Sequence, residues 1–245
     1  MDNVPDVRAD ARRAFDVIKS GGIALIPNDT GYAMCGGSNE ALQRIFNTKQ
    51  RGGHKRNAMI CDMETQRELH DLDRRAQDMV ECLTQVQDLP MGVIAPFRPE
   101  HPLLTKVDAE TMKASTAAGT ICVLVNAGPL HREITRLSRE EVHPLFGSSA
   151  NLTGTGAKFR VEDIQPEILA IADVKLDYGL RKYYHYRRSG TLINFATMEV
   201  VRIGVCYELI REALKRGFGV DLPDDPGRDA LPSGHLNEFG LRGVQ

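Results

Sequence analysis

Residues 23–26, Ile-Ala-Leu-Ile, constrain this chain more than any other stretch: a short, wholly apolar run between Gly21-Gly22 and Pro27 reads as a buried strand. Pro27 is expected to stop it, ahead of a polar turn that holds Gly31. Leu42, Ile45 and Phe46 then fall at helical spacing behind Ser38 or Asn39 as cap, and Gly52-Gly53 end that helix just past Lys49 and Arg51. Residues 57–61 read as a second strand. A strand, turn, helix and basic loop leading into another strand can offer cations and backbone donors to an anion. In an extended segment Lys49 and Arg51, two positions apart, project to the same side. The plain alternative is a solvated helix end favoured by the macrodipole.

The same pattern reading extends along the chain. Ala11, Ala14, Phe15 and Ile18 form one helix face. Residues 64–86 read as one long helix with Leu69, Leu72, Ala76, Met79, Val80 and Leu83 inward. Residues 92–97 and 120–125 are expected strands, 99–119 a loop region, and Leu130, Ile134 and Leu137 mark a helix. The hydroxyls and glycine of residues 148–154 suit a tight turn with exposed backbone N–H groups. A helix over 161–172 must place Pro166 in its first turn or break there. Strands at 174–176, 191–195 and 199–203 and a helix at 206–216 follow. The irregular alternation favours an α/β layered fold: a single domain over 8–216, then an extension over 217–245 that is turn-rich and acidic.

A net charge of −2 gives no global attraction to nucleic acid, so any such binding needs a local patch. The candidate is Arg181, Lys182, Arg187 and Arg188, interleaved with tyrosines that could stack on bases, with His54-Lys55-Arg56 extending the basic surface. The alternative is an exposed loop or edge kept soluble by its charges. Five scattered cysteines without a Cys-x-x-Cys pair point to reduced thiols and a cytoplasmic setting. No apolar run approaches the roughly 20 residues of a membrane span, and the polar, acidic first ten residues are unlike a signal peptide. There is no P-loop, no metal-ligand constellation and no nucleophile elbow. The chemistry left open is transfer to or from phosphate, performed by charge and positioning.

Five signatures, in order, carry a resemblance. Pro27-Asn28-Asp29-Thr30-Gly31-Tyr32 resembles the Pro-Thr-Asp/Glu-Thr-x-Tyr-Gly motif of the YrdC-like family, and Lys49-Gln50-Arg51 its Lys-x-Arg motif. Ser148-Ser149-Ala150-Asn151 resembles its Ser-x-Asn motif. Gly190-Thr191-Leu192-Ile193-Asn194 and Arg202-Ile203-Gly204 resemble its Ser-Thr-Val-Val-Asp and Arg-x-Gly signatures.

The resemblance implies a YrdC-like α/β fold, a twisted mixed sheet with helices around it and a concave, positively lined face. It further implies a nucleotidyltransferase similar to the threonylcarbamoyl-AMP synthases. These use L-threonine, bicarbonate and ATP with Mg²⁺ to make L-threonylcarbamoyladenylate for a tRNA modification. Lys49 and Arg51 match the catalytic cations, and together with Asn57, Thr120, Ser149, Asn151 and Arg202 they match positions that bind ATP. Thr30, Tyr32, Asp62, Leu124 and Gly190 match the substrate pocket, and there the chain departs. Leu124 stands where the family has the Arg that faces the threonine carboxylate, Gly190 replaces a Ser, Asn28 a Thr, and Asp62 a His. Arg56, Arg98 and Arg188 are candidate substitutes for the missing guanidinium. The turn Asp29–Ala33 is similar to that of the YciO-type branch. A relative using another carbamate or amino-acid acceptor, and a non-catalytic protein binding nucleotide and double-stranded RNA, are the alternatives.

Overall fold

The computed structural model describes residues 4–50 and 56–236. The first helix, α1 (Val7–Lys19), is capped by the Asp6 carboxylate, which accepts from Ala9 N at 3.1 Å, and it buries Ala11, Ala14, Phe15 and Ile18. Strand β1 (Ala24–Asn28) does not stop at Pro27; it continues through it and turns over Asp29-Thr30 into β2 (Gly31–Gly36), with Pro27 paired to Tyr32. The reason lies on the other side of β1. Its neighbour there, β8, pairs only with Ala24 and Leu25, so the N–H that proline lacks falls beyond the end of that ladder. Gly31 has φ +115°, and a Cβ there would lie 2.9 Å from the Lys158 carbonyl, so the close approach of that loop requires glycine.

Helix α2 (Asn39–Thr48), capped by Ser38, leads to β3 (Ala58–Ile60). The long helix expected over 64–86 is broken into α3 (Met63–Leu69), α4 (Arg74–Glu81) and a π-helical turn at Cys82–Val86. The break follows from Asp73, whose carboxylate caps a fresh N-terminus at Ala76 N, and from the chain's detour to β4 (Met91–Pro96), where Asp71 N bonds to Pro96 O. Residues 99–119 are not loop throughout. They hold a 3₁₀ turn at Leu104–Lys106, then α5 (Ala109–Ser115), capped by Asp108, and β5 (Thr116–Ala117). Strand β6 (Thr120–Val125) and α6 (Pro129–Glu140) follow as expected, and a further strand, β7 (Phe146–Ser149), runs into the turn expected from residue 148. Instead of one helix over 161–172 there is a 3₁₀ turn at Val161–Asp163 and a separate α7 (Pro166–Ala170) with Pro166 in its first turn. Strands β8 (Val174–Lys175), β9 (Leu192–Asn194) and β10 (Glu199–Arg202) precede α8 (Tyr207–Phe218).

The described strands form one mixed sheet ordered β10-β9-β4-β6-β3-β7-β2-β1-β8, with β5 paired to β6. Alternation along β1 and β2 sends Leu25, Tyr32 and Met34 to the larger core, shared with α2, α4 and α8. It sends Ala24, Ile26, Ala33 and Cys35 to a smaller core beneath α1 and α6. The smaller core covers that face from β1 as far as Ile60 of β3. Over β6 the residues of the same parity, Thr120, Cys122 and Leu124, are half-buried, while Ile121, Val123 and Val125 are fully buried on the other side. This leaves one sheet face partly open. No helix among the described residues is long and apolar enough to cross a membrane.

Candidate functional site

Two ends of the open face hold the residues singled out from the sequence. At one end β7 runs into the loop 149–154, which is tied to the C-terminus of α2: Thr153 N donates to Lys49 O at 3.1 Å, and Lys49 Nζ donates to Ser149 O. Lys49 is 3% exposed, so its ammonium lies inside the fold rather than at a solvated helix end. Asn151 is buried in the same loop, its side-chain nitrogen donating to Leu152 O. Register carries the site across the sheet. Ala58 pairs with Gly147, so the next step sets Asn57 opposite Ser148, and the parallel register of β3 with β6 sets residue 56 opposite Thr120. Thr120 donates its hydroxyl to Ala117 O at 2.8 Å. Three side chains here keep buried polar atoms without partners: Ser148 Oγ, Asn151 Oδ1 and both amide atoms of Asn57. Asn57 shares its face with Met59 and the larger core, across the sheet from Ser149. Arg51, His54 and Lys55 lie outside the described residues.

At the other end Leu124, Gly190 and Thr30 meet. A Cβ on Gly190 would stand 3.8 Å from Thr30 Cγ2 and 3.9 Å from Leu124 Cδ1, so both side chains border the space over Gly190. Arg202 faces the same row of the sheet, because Leu124 pairs with Gly92, Gly92 with Leu192, and Leu192 with Arg202. Its Nε donates to Gly190 O at 2.8 Å. Loss of water lowers the Arg202 pKa to about 10, with the neighbouring Cys122 acting in the opposite direction. Burial raises the Cys122 thiol to about 11, Arg202 pulling it back. The two groups therefore sit together between the ends of the face.

Two pocket candidates are placed otherwise. Tyr32 is a core residue at 1% exposure; its hydroxyl donates toward Asp177 and Gly179 O and accepts from Tyr178 N at 3.0 Å, so it braces the 177–179 loop. Asp62 caps α3, accepting from Thr65 N at 2.7 Å, and lies near enough to His131 to act on its charge. The three candidate guanidinium substitutes have partners away from Leu124. Arg98 is held by His70 O, Glu68 O and Asp71, Arg188 by Asp225 and Leu231 O, and Arg56 donates to Thr116 O.

Sequence reading passed over a separate cavity of about 360 Å³ at the start of α6, lined by Asp29, Asp88, Asn126, Arg132, Arg181 and Lys182 among others. Its acids already have partners: Asp29 pairs with Arg181 at 3.4 Å and Lys182 at 3.9 Å, and Asp88 accepts from Asn126. Burial raises the Asp29 pKa, the two cations opposing it. Arg181 is thereby an internal residue, and Arg188 is 5% exposed, so only Lys182 and Arg187 of the basic run face solvent. Among the described residues no cluster of three His, Cys, Asp or Glu could hold a metal ion.

These features define an α/β domain with one sheet face left partly open beside the loop that holds Lys49 and Asn151. The family model Sua5_yciO_yrdC, described as "Telomere recombination", matches residues 16–204, and the chain belongs to that family. No curated protein matches the sequence significantly. Among solved structures, the hypothetical protein smu.1377c of Streptococcus mutans superposes with a TM-score of 0.66 at 19% identity, over 89% of this chain and 93% of that one. Sua5 of P. abyssi, complexed with L-threonine, gives 0.67 at 17% identity over 86% of this chain and 58% of its own. HypF in a phosphate- and nucleotide-bound form gives 0.58 at 20% identity over 81% of this chain and 29% of its own. At these identities the likeness is one of fold.

Proposed function

We propose that this protein is an ATP-dependent enzyme that forms a carbamoyl- or acyl-adenylate, with an acceptor pocket unlike that of the threonylcarbamoyl-AMP synthases. The observation that carries the reading is the buried Lys49, whose ammonium donates to Ser149 O at the loop 149–154, where Asn151 Oδ1 is buried without a partner. A buried polar group without a partner costs about 1–3 kcal/mol, a cost that a ligand donating to Asn151 Oδ1 would relieve. The family membership and the ligands named for the Sua5 and HypF structures agree with a nucleotide there and a small acid beside it.

In this reading Lys49, Ser149 and the loop amides hold the triphosphate, and Mg²⁺ enters on its phosphates, as such ions commonly do. An oxygen of the carbamate or carboxylate bonds to the α-phosphorus as the bond to the bridging oxygen breaks, and pyrophosphate leaves with the electron pair. Lys49 and Arg202 offset the charge on the phosphoryl oxygens. Leu124, Gly190 and Thr30 set which acceptor lies in line.

Calorimetric titration of ATP tests this reading. Lys49→Ala removes a charged hydrogen bond of about 1.5–3 kcal/mol, a tenfold to hundredfold loss of affinity. Unchanged ATP affinity in a folded Lys49→Ala protein would overturn it.

A further inference from the structure

Residues 221–236 fold back onto the domain. Leu222 and Leu231 are buried, Tyr207 donates its hydroxyl to Pro223 O at 2.6 Å, and Arg211 donates to Leu222 O at 3.0 Å. Arg188, itself buried, reaches Asp225 at 2.7 Å and Leu231 O at 2.8 Å. The end of this arm then pairs with the outer edge of β10: Ile203 N donates to Gly234 O at 2.8 Å, Leu236 N to Val201 O at 3.3 Å, and Arg202 bridges to His235. The arm thus takes the edge that the sheet order leaves open beyond β10. Gly234 is required at that contact. Its φ is +76°, and a Cβ there would stand 1.9 Å from Ile203 O and 3.3 Å from Arg202 Cγ.

Arg202 is therefore held from two sides: the arm fixes its backbone and the root of its side chain, and Gly190 O accepts from its Nε. A long cation free to rotate loses more entropy on engaging an anion than one already aimed. We propose that the C-terminal arm is a positioning element for Arg202, aiming its guanidinium across the open face and so setting the affinity of that face for the phosphates of a nucleotide. The inference rests on the reading of Arg202 given above.

The test is ATP affinity, by calorimetry on the full chain, in a double-mutant cycle with Arg202→Ala. Gly234→Val detaches the arm from β10. Asp225→Asn loosens it at Arg188 without touching β10, and decides the matter if the valine variant does not fold. Each is expected to weaken ATP binding, Gly234→Val by about tenfold, with that loss absent in the Arg202→Ala background, because contacting or coupled residues show such non-additivity. A merely structural arm would weaken binding equally in both backgrounds, and that result would overturn the inference. So would unchanged affinity in both arm variants while Arg202→Ala binds weakly, an outcome that leaves the nucleotide reading standing. Full affinity in Arg202→Ala would remove Arg202 from the nucleotide site and the inference with it.

Discussion

In the proposed reading, Leu124 sets which acceptor the open face takes. A carboxylate is ordinarily clamped by a guanidinium whose fork matches its two oxygens, and a leucine offers neither charge nor donor. The contact of Leu124 Cδ1 with the space above Gly190 and Thr30 makes that end of the face apolar. Arg202 does not replace the missing group, since it already matches the Arg-x-Gly signature expected in addition to it, and its Nε is engaged by Gly190 O. Free L-threonine is therefore expected to be a poor substrate. The missing partner corresponds to roughly 2–5 kcal/mol, by analogy with removing one member of a buried charged pair. Adenylate formation with L-threonine, bicarbonate and ATP should be slow in the native chain and faster in Leu124→Arg. Robust threonine-dependent turnover that the substitution abolishes would contradict this.

At the scale of elements, β6 is clamped by two buried histidines. His131 on α6 bonds Leu124 O through Nε2 at 3.1 Å, and His70 at the end of α3 bonds Ile121 O through Nε2 at 3.3 Å while Gln66 contacts its Nδ1. Both donate as neutral rings, and burial lowers each pKa from 6.5 to about 4; Arg98 assists at His70, Arg132 assists and Asp62 opposes at His131. A pKa depressed in the folded state stabilises the fold fully above 6.5 and loses that contribution as pH falls toward 4. Each ring accounts for ~3 kcal/mol across that window. Urea unfolding at pH 7 and pH 4.5 should show a drop that shrinks in His131→Gln, whose amide can keep the Leu124 contact without titrating. Parallel pH profiles for the two proteins would rule the histidine out. Such clamps were illegible beforehand because each joins residues that only tertiary packing brings together. Strand β6 and the Ser38 cap were legible from spacing alone. The strand through Pro27 was not, since nothing local reveals that β8 ends at Lys175. Nor was the split at Asp73, where a competent cap inside an apolar periodicity started a second helix. The motifs that contain Lys49, Ser149 and Asn151 meet at one loop, whereas Tyr32 has an inward parity.

On the scale of the whole molecule, the basic run 181–188 and the C-terminal arm bear on the same question, whether this chain can hold RNA. Its net charge of −2 provides no long-range attraction. Of the four cations in the run, Arg181 lies against Asn28 O and Asp29, and Arg188 is buried beneath the arm on Asp225 and Leu231 O. Tyr186 donates its hydroxyl to Glu208 rather than presenting a ring edge freely, which leaves Tyr184, at 50% exposure, as the outward aromatic of the run. Lys182 and Arg187 can then neutralise no more than two phosphates. Counterion release gives a log–log salt slope of about −0.9 per phosphate on a duplex, so this run contributes a slope no steeper than about −2. Titration of a duplex RNA at 50 and 200 mM salt should show weak binding with a shallow slope, which Lys182→Ala with Arg187→Ala flattens further. Arg188→Ala should instead lower thermal stability, because it leaves Asp225 and the Leu231 carbonyl without their partner. A steep slope that falls in Arg188→Ala at unchanged melting temperature would mean that the arm lifts away and the run meets RNA as a whole.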